Sequence, residues 1–229
     1  MQAGTLADLQ VRLESLSHTE SAIGELQAFS KALKSTSGRL AVFNADRGLI
    51  RQPIRTEETQ ALGFVEQDDF FALLQGDVVG TEAAFYLGER VCGRPKYIVL
   101  SSSCDLVPER RRCASLLRIT EIRESEPDAL SKLSLLLKFQ RRESMYLPVL
   151  PSDDTDVICN VVQFDGICQI RSADLLLANR IASLSLVGWR MFGSFARTVI
   201  VRANPREGKM RAALEQLPKQ GSLDLDGSA

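Results

Sequence analysis

The sequence predicts an α+β protein: a compact β unit, a small barrel or sandwich, carrying helices at both ends. Three observations predict it. Between Gly76 and Arg171 the chain breaks into short apolar runs, "GDVVG", "AAFYLGE", "KYIVLSSS", "ASLLRITEI", "SMYLPVLP" and "DVICNVVQFDGICQI", divided by Gly, Pro, Asp or Arg. Ahead of that unit, Leu6, Leu9, Leu13 and Leu16, then Ile23, Leu26, Phe29 and Leu33, recur at helical spacing. Behind it, Phe192, Phe195 and Val199 fall on one helical face.

Residues 1–38 form an N-terminal helical arm of two helices, broken near Ser17, His18, Thr19 and Glu20. Ser17 and Glu20 have the spacing of a capping box for the second helix, and Gly38 in "STSGR" is its stop. Residues 39–75 are a connecting region, β-like over "RLAVFNADRGLIRQPI", with a short helical turn in "EQDDFFALLQ". The β unit follows over 76–186. Within it Tyr97, Ile98, Val99 and Leu100 form a strand buried on both faces, and Gly93 and Pro95 punctuate its start. The segment "PDALSKLSLLLKFQRRE" inserts a helix near 127–141, because Leu130, Leu133 and Leu137 keep helical spacing. From Ser172 the chain reads as helical as far as Asn204-Pro205, with C-terminal helices over 187–217 ending in "EGKMRAALEQL". The polar, acidic stretch 218–229 is expected to be disordered.

At 229 residues and 45% hydrophobic, the chain can bury a substantial core. Its 28 Lys and Arg balance 29 Asp and Glu, so a nucleic-acid contact must come from a local patch rather than a global field. No run reaches the ~20 apolar residues of a membrane span. The start "MQAGTLADLQVRLESL" also lacks the basic segment and apolar core of a secretory leader, so a cytoplasmic protein is expected. Five cysteines, with no CxxC pair, fit reduced thiols. The one histidine, His18, sits in a helical linker. That sets aside an imidazole zinc site and a Ser-His-Asp or Cys-His engine, and no metal or cofactor is expected.

Chemistry concentrates around "GRPKYIVLSSSCDLVPERRR". Arg94, at the strand entrance, reads either as a phosphate contact or as the partner of a carboxylate such as Asp77 or Asp105. Ser101, Ser102 and Ser103 read as donors lining a turn or a ligand, and Asp105 as a turn acceptor. Cys104 reads as a buried small hydrophobe, as a thiol nucleophile activated by nearby arginines, or as part of a binding site. Arg110, Arg111 and Arg112, with Arg141 and Arg142 on a second loop, form either solvated loops or phosphate contacts. If both loops share one side of the β unit, they make a basic rim. Asp153, Asp154 and Asp156 read as a surface turn, and Trp189, Phe192 and Phe195 as a core face.

The order "GDVV", "GRPKYIVLSSS", "ASLLRITEI" and "NVVQFDGICQIRSADLL", over about residues 76–186, resembles the MazF/PemK family of toxin endoribonucleases. The resemblance implies a small SH3-like (MazF/PemK-like) β-barrel, to which this chain adds N-terminal and C-terminal helices. It also implies metal-independent cleavage of single-stranded RNA through a 2′,3′-cyclic phosphate, in a toxin or phage-defence setting. Carried over by motif, the residues at the scissile phosphate are Arg94, of the R-P element, and Thr120, at the end of the next long strand. A guanidinium can stabilise the phosphorane charge, although it is a poor general acid. Thr120 reads on its own as a β-former. The alternative is a non-catalytic SH3-like interaction module whose terminal helices dock a protein partner or a second copy. An open groove bearing Arg94, Thr120 and Arg110 to Arg112 favours nucleic acid, and a groove filled by the N-terminal arm favours the module.

Overall fold

The computed structural model describes residues 5–16, 19, 21–63, 73–91, 93, 95–107, 110–200 and 205–215. Among them it is α+β, with eight α-helices and one antiparallel sheet of nine strands. The strands are β1 (Ile50–Arg51), β2 (Asp77–Gly80), β3 (Phe85–Tyr86), β4 (Glu89–Arg90), β5 (Lys96–Val99), β6 (Cys113–Arg123), β7 (Ser144–Leu147), β8 (Val157–Arg171) and β9 (Asn179–Leu184). Their order is β1-β9-β2-β5-β6-β8-β3-β4, with β7 on the edge of β8 beside β3. The helices are α1 (Leu6–Leu16), α2 (Ser21–Ala32), α3 (Thr36–Phe43), α4 (Thr56–Ala61), α5 (Ala129–Leu137), α6 (Ser172–Leu176), α7 (Leu186–Ile200) and α8 (Pro205–Glu215).

The sheet curls. Five residues from Gly80 to Phe85 span at most about 18 Å, yet β2 and β3 stand four places apart, about 19 Å in a flat sheet. Val79, Tyr97, Val99, Leu116 and Ile170 line the inside of the curl and share one apolar cluster with Ala84. The sheet is not closed into a barrel by hydrogen bonds. Its outermost strands, β1 and β4, are two residues long and offer too short a ladder to join.

Alternation sends Val78, Ile98, Leu117 and Ile119 to the other face, where they meet the helices in a second cluster. Phe164 stacks on Phe195 at 5.6 Å and lies 5.7 Å from Phe192, so these aromatics are core, as their spacing predicts. Gly188 allows α7 to seat on the chain before β1: a Cβ there would lie 2.2 Å from the Leu49 carbonyl oxygen.

Three expectations are corrected. "TSGRLAVF" is helix α3 rather than a stop and a strand, because Ser35 Oγ accepts from Gly38 N at 3.0 Å and caps it. The β-like reading of that region survives only at Ile50–Arg51, which pairs with β9. The continuous helix after Ser172 is interrupted by β9, which adds to β2 through Asp77↔Ser183 and Val78↔Ala182. The turn at Ser17, His18 and Glu20, the "EQDDFF" turn and the tail lie outside the described residues.

Candidate functional site

A cleft of about 670 Å³ opens where β2, β5, β6 and β9 meet, and Thr120 and Pro95 line it. The β5–β6 register, Lys96↔Ile119 and Tyr97↔Arg118, brings the R-P element to the Thr120 end of β6. Arg94 lies outside the described residues; Pro95, its chain neighbour, is in the wall. Thr120 Oγ1 accepts from Gln163 Nε2 at 3.0 Å across the β6–β8 pair. No residue of α1 or α2 lines the cleft, since those helices pack with α7 on the helical face.

A charge network of Lys96 and Arg123 with Glu121, Asp153, Asp154 and Asp156 lines or backs this cleft. Lys96 is buried, reaching Glu121 Oε1 at 2.6 Å, Asp153, and Asn160 Oδ1 at 3.2 Å. Asn160 Nδ2 in turn donates to Asp153 Oδ2 at 2.6 Å. Arg123 donates to Glu121, Asp154 and Asp156 at 2.5, 3.1 and 2.9 Å. The hydrogen bonds it donates to Asp154, Glu121 and Asp156 push its already high pKa higher, so it stays charged. The sequence reading missed Lys96, Glu121, Arg123 and Asn160, and it placed Asp153 in a surface turn although its side chain is fully buried. The remaining wall cation, Arg118, lies 5.0 Å over the Tyr86 ring. Gly166 makes room beneath it, since a Cβ there would come 3.2 Å from Arg118 Cβ.

Asp77, Ser103 and Cys104 come together elsewhere, in a cavity of about 510 Å³ at the opposite end of β2 that also holds Trp189. Asp77 is fully buried. Its carboxylate accepts from Ser183 Oγ at 2.5 Å and Leu74 N at 2.9 Å, and pairs with Arg180 at 2.8 Å. Burial raises its pKa, against the pull of Arg180. Gly76 takes φ +89° to deliver the chain into this position, where a Cβ would strike Leu184.

The serine element is built from acceptors rather than donors. Ser101 Oγ takes Ser115 N, and Ser103 Oγ takes Gln75 N, each at 2.9 Å. Cys104 is exposed rather than buried, because it sits on a 3₁₀ turn (Ser103–Leu106) outside both apolar clusters. Arg110 reaches its carbonyl oxygen at 3.3 Å. Asp105 faces the side chain of Arg111 at 3.3 Å, not a backbone turn donor.

The two basic loops adjoin β8 at different points. Arg111 and Arg112 abut the end of β8, with Ser172 N donating to Arg112 O at 3.0 Å and Ser172 Oγ to Arg111 O at 2.7 Å. Arg141 and Arg142 precede β7, whose first residue pairs with Gln163. β8 bulges between Val162 and Ile167, so Val162 to Arg171 runs beside only Ile119 to Cys113 of β6, roughly 20 Å. Thr120 is eight positions along β6 from Arg112, roughly 26 Å of extended chain.

Compared with protein-family models and with curated proteins, the chain matches none. Among the described residues no cluster of three His, Cys, Asp or Glu side chains could hold a metal ion. Nor is any described helix long and apolar enough to cross a membrane.

Proposed function

We propose that this protein acts on single-stranded RNA at the β5–β6 cleft, as a metal-independent endoribonuclease of MazF/PemK-like type in a toxin or phage-defence setting. The observation that carries the reading is the cleft itself: it is open, and Pro95 of the R-P element and Thr120 both line it. On this reading the curled sheet is an SH3-like barrel left open at its short edge strands. Arg94 stabilises the charge of the phosphorane as the substrate's 2′-hydroxyl attacks, and Thr120 positions a phosphate oxygen. Free thiols at Cys104, Cys113, Cys159 and Cys168 suit a reducing cytoplasm. The test is incubation of the protein, Arg94→Ala and Thr120→Val with labelled mixed-sequence RNA in EDTA. Cleavage by the unaltered protein and its loss in both variants support the reading, and intact RNA in every lane overturns the nuclease.

One observation favours a second reading, a non-catalytic interaction module. Lys96 and Arg123 are neutralised by Glu121, Asp153, Asp154 and Asp156, which leaves little net positive field at the cleft for a phosphate. On that reading the unaltered protein retains a ligand or partner without cutting RNA.

A further inference from the structure

The β3–β4 hairpin stands between the Thr120 cleft and a second groove. Glu82 and Val91 line the cleft, while their chain neighbours Ala83 and Arg90 line the groove, which measures about 520 Å³. The hairpin presents an aromatic residue to each side. Tyr86 lies under Arg118, a cleft residue, and Phe85, its neighbour in the strand, lines the groove with 52% of its surface exposed. Burying such a ring in the core would be ordinary; leaving it half exposed in a groove offers a stacking surface.

Two arginines, Arg90 and Arg171, line the groove with Phe85. Arg171 ends β8 in the groove wall, exposed and without an ion pair among the described residues. Arg90 is oriented by the Glu82 carbonyl at 2.7 Å and faces its carboxylate at 3.6 Å. The basic loop adjoins the groove, because Ser172, next to Arg171, is hydrogen-bonded to the carbonyl oxygens of Arg111 and Arg112. Asp174 in the groove, Glu82 beside Arg90 and Asp105 beside Arg111 oppose this charge, and Arg171 is the groove cation that none of them pairs with among the described residues. An aromatic face flanked by arginines is how proteins hold an unstacked base together with its phosphates.

We infer that this groove is a second nucleic-acid subsite: it takes a nucleotide of single-stranded RNA several positions along the strand from the one in the cleft, its base on Phe85 and its phosphate on Arg171. The inference rests on the RNA reading above. It gives the basic loop a role that its distance from Thr120 denies it at the cleft. It also supplies positive charge that the neutralised pairs of Lys96 and Arg123 do not.

The test uses a 2′-O-methyl mixed-sequence RNA, which cannot be cut by its own 2′-hydroxyl, and measures affinity as a function of salt. Phe85→Ala weakens binding about five- to 150-fold, the range given by loss of one base–aromatic stack, whereas Phe85→Trp binds within about threefold of the unaltered protein. Arg171→Gln lowers the slope of log affinity against log salt by about 0.7, one phosphate contact on a single strand. In the unaltered protein, bound RNA slows alkylation of Cys113, an exposed groove residue, and this readout holds even if a variant misfolds. RNA bound equally by all variants, with Cys113 unprotected, overturns the subsite and leaves the cleft reading standing. No RNA bound by the unaltered protein overturns both.

Discussion

Replacing Lys96 by Met removes an ammonium group while keeping most of its length. Lys96 is 8% exposed and the Asp153 side chain it contacts is fully buried. Breaking a buried pair from one side costs about 3–5 kcal/mol, because the remaining charge is left uncompensated. Asp153 keeps the Leu150 N–H at 2.7 Å and the Asn160 amide at 2.6 Å, and Glu121 keeps Arg123. The cost therefore falls at the low end, about 3 kcal/mol, a large share of the roughly 5–15 kcal/mol that holds a domain folded. Removing both charges with Lys96→Met and Asp153→Asn together restores most of the loss, and the coupling between the two changes is at least about 2 kcal/mol. Urea unfolding of the four proteins in the cycle measures this. A single-variant cost below about 1 kcal/mol, or a double variant no better than Lys96→Met, would refute the assignment of this pair as a buried structural anchor of the cleft.

Gly188→Ala gains helix propensity but drives a Cβ into the Leu49 carbonyl at 2.2 Å, so it destabilises by about 1–3 kcal/mol and lowers the melting temperature. In the folded protein at pH 8, iodoacetamide modifies Cys104 and Cys113 first. Burial pushes the Cys159 thiol up to about 12 and the Cys168 thiol up to about 11, so both stay unmodified until the chain is unfolded, as mass spectrometry of the peptides shows. Burial also raises the Asp77 pKa above 3.8, so the folded state holds its proton to higher pH than the unfolded state does. Its contribution to stability therefore falls as pH rises through that window. Asp77→Asn accordingly gains on the unaltered protein as pH rises above 3.8 in paired denaturation curves; the opposite trend would show that Arg180 dominates.

Much of the sheet was legible because its strands are local signals. Gly, Pro and Asp bracket β2, β5 and β6, and Leu130, Leu133 and Leu137 mark the inserted helix. What was missed depends on partners distant in the chain. "NRIASL" looks helical by its neighbours, and becomes a strand because Ser183 and Arg180 bind Asp77, about a hundred positions earlier. Lys96 looks like an ordinary charged strand entrance until Asp153 and Asn160 arrive from beyond the inserted helix. The "ERRR" and "QRRE" loops are alike in composition, and only the register reveals which part of β8 each adjoins. Thr120 was found through a motif; the cleft around it required the fold.

The most direct measurement is the fate of labelled single-stranded RNA, incubated in EDTA with the unaltered protein and with Thr120→Val, each first verified as folded by circular dichroism. The account predicts cleavage products ending in a 2′,3′-cyclic phosphate from the unaltered protein and little or none from Thr120→Val. Intact RNA with both proteins, or equal cleavage by both, would contradict the assignment of the β5–β6 cleft as the seat of the reaction.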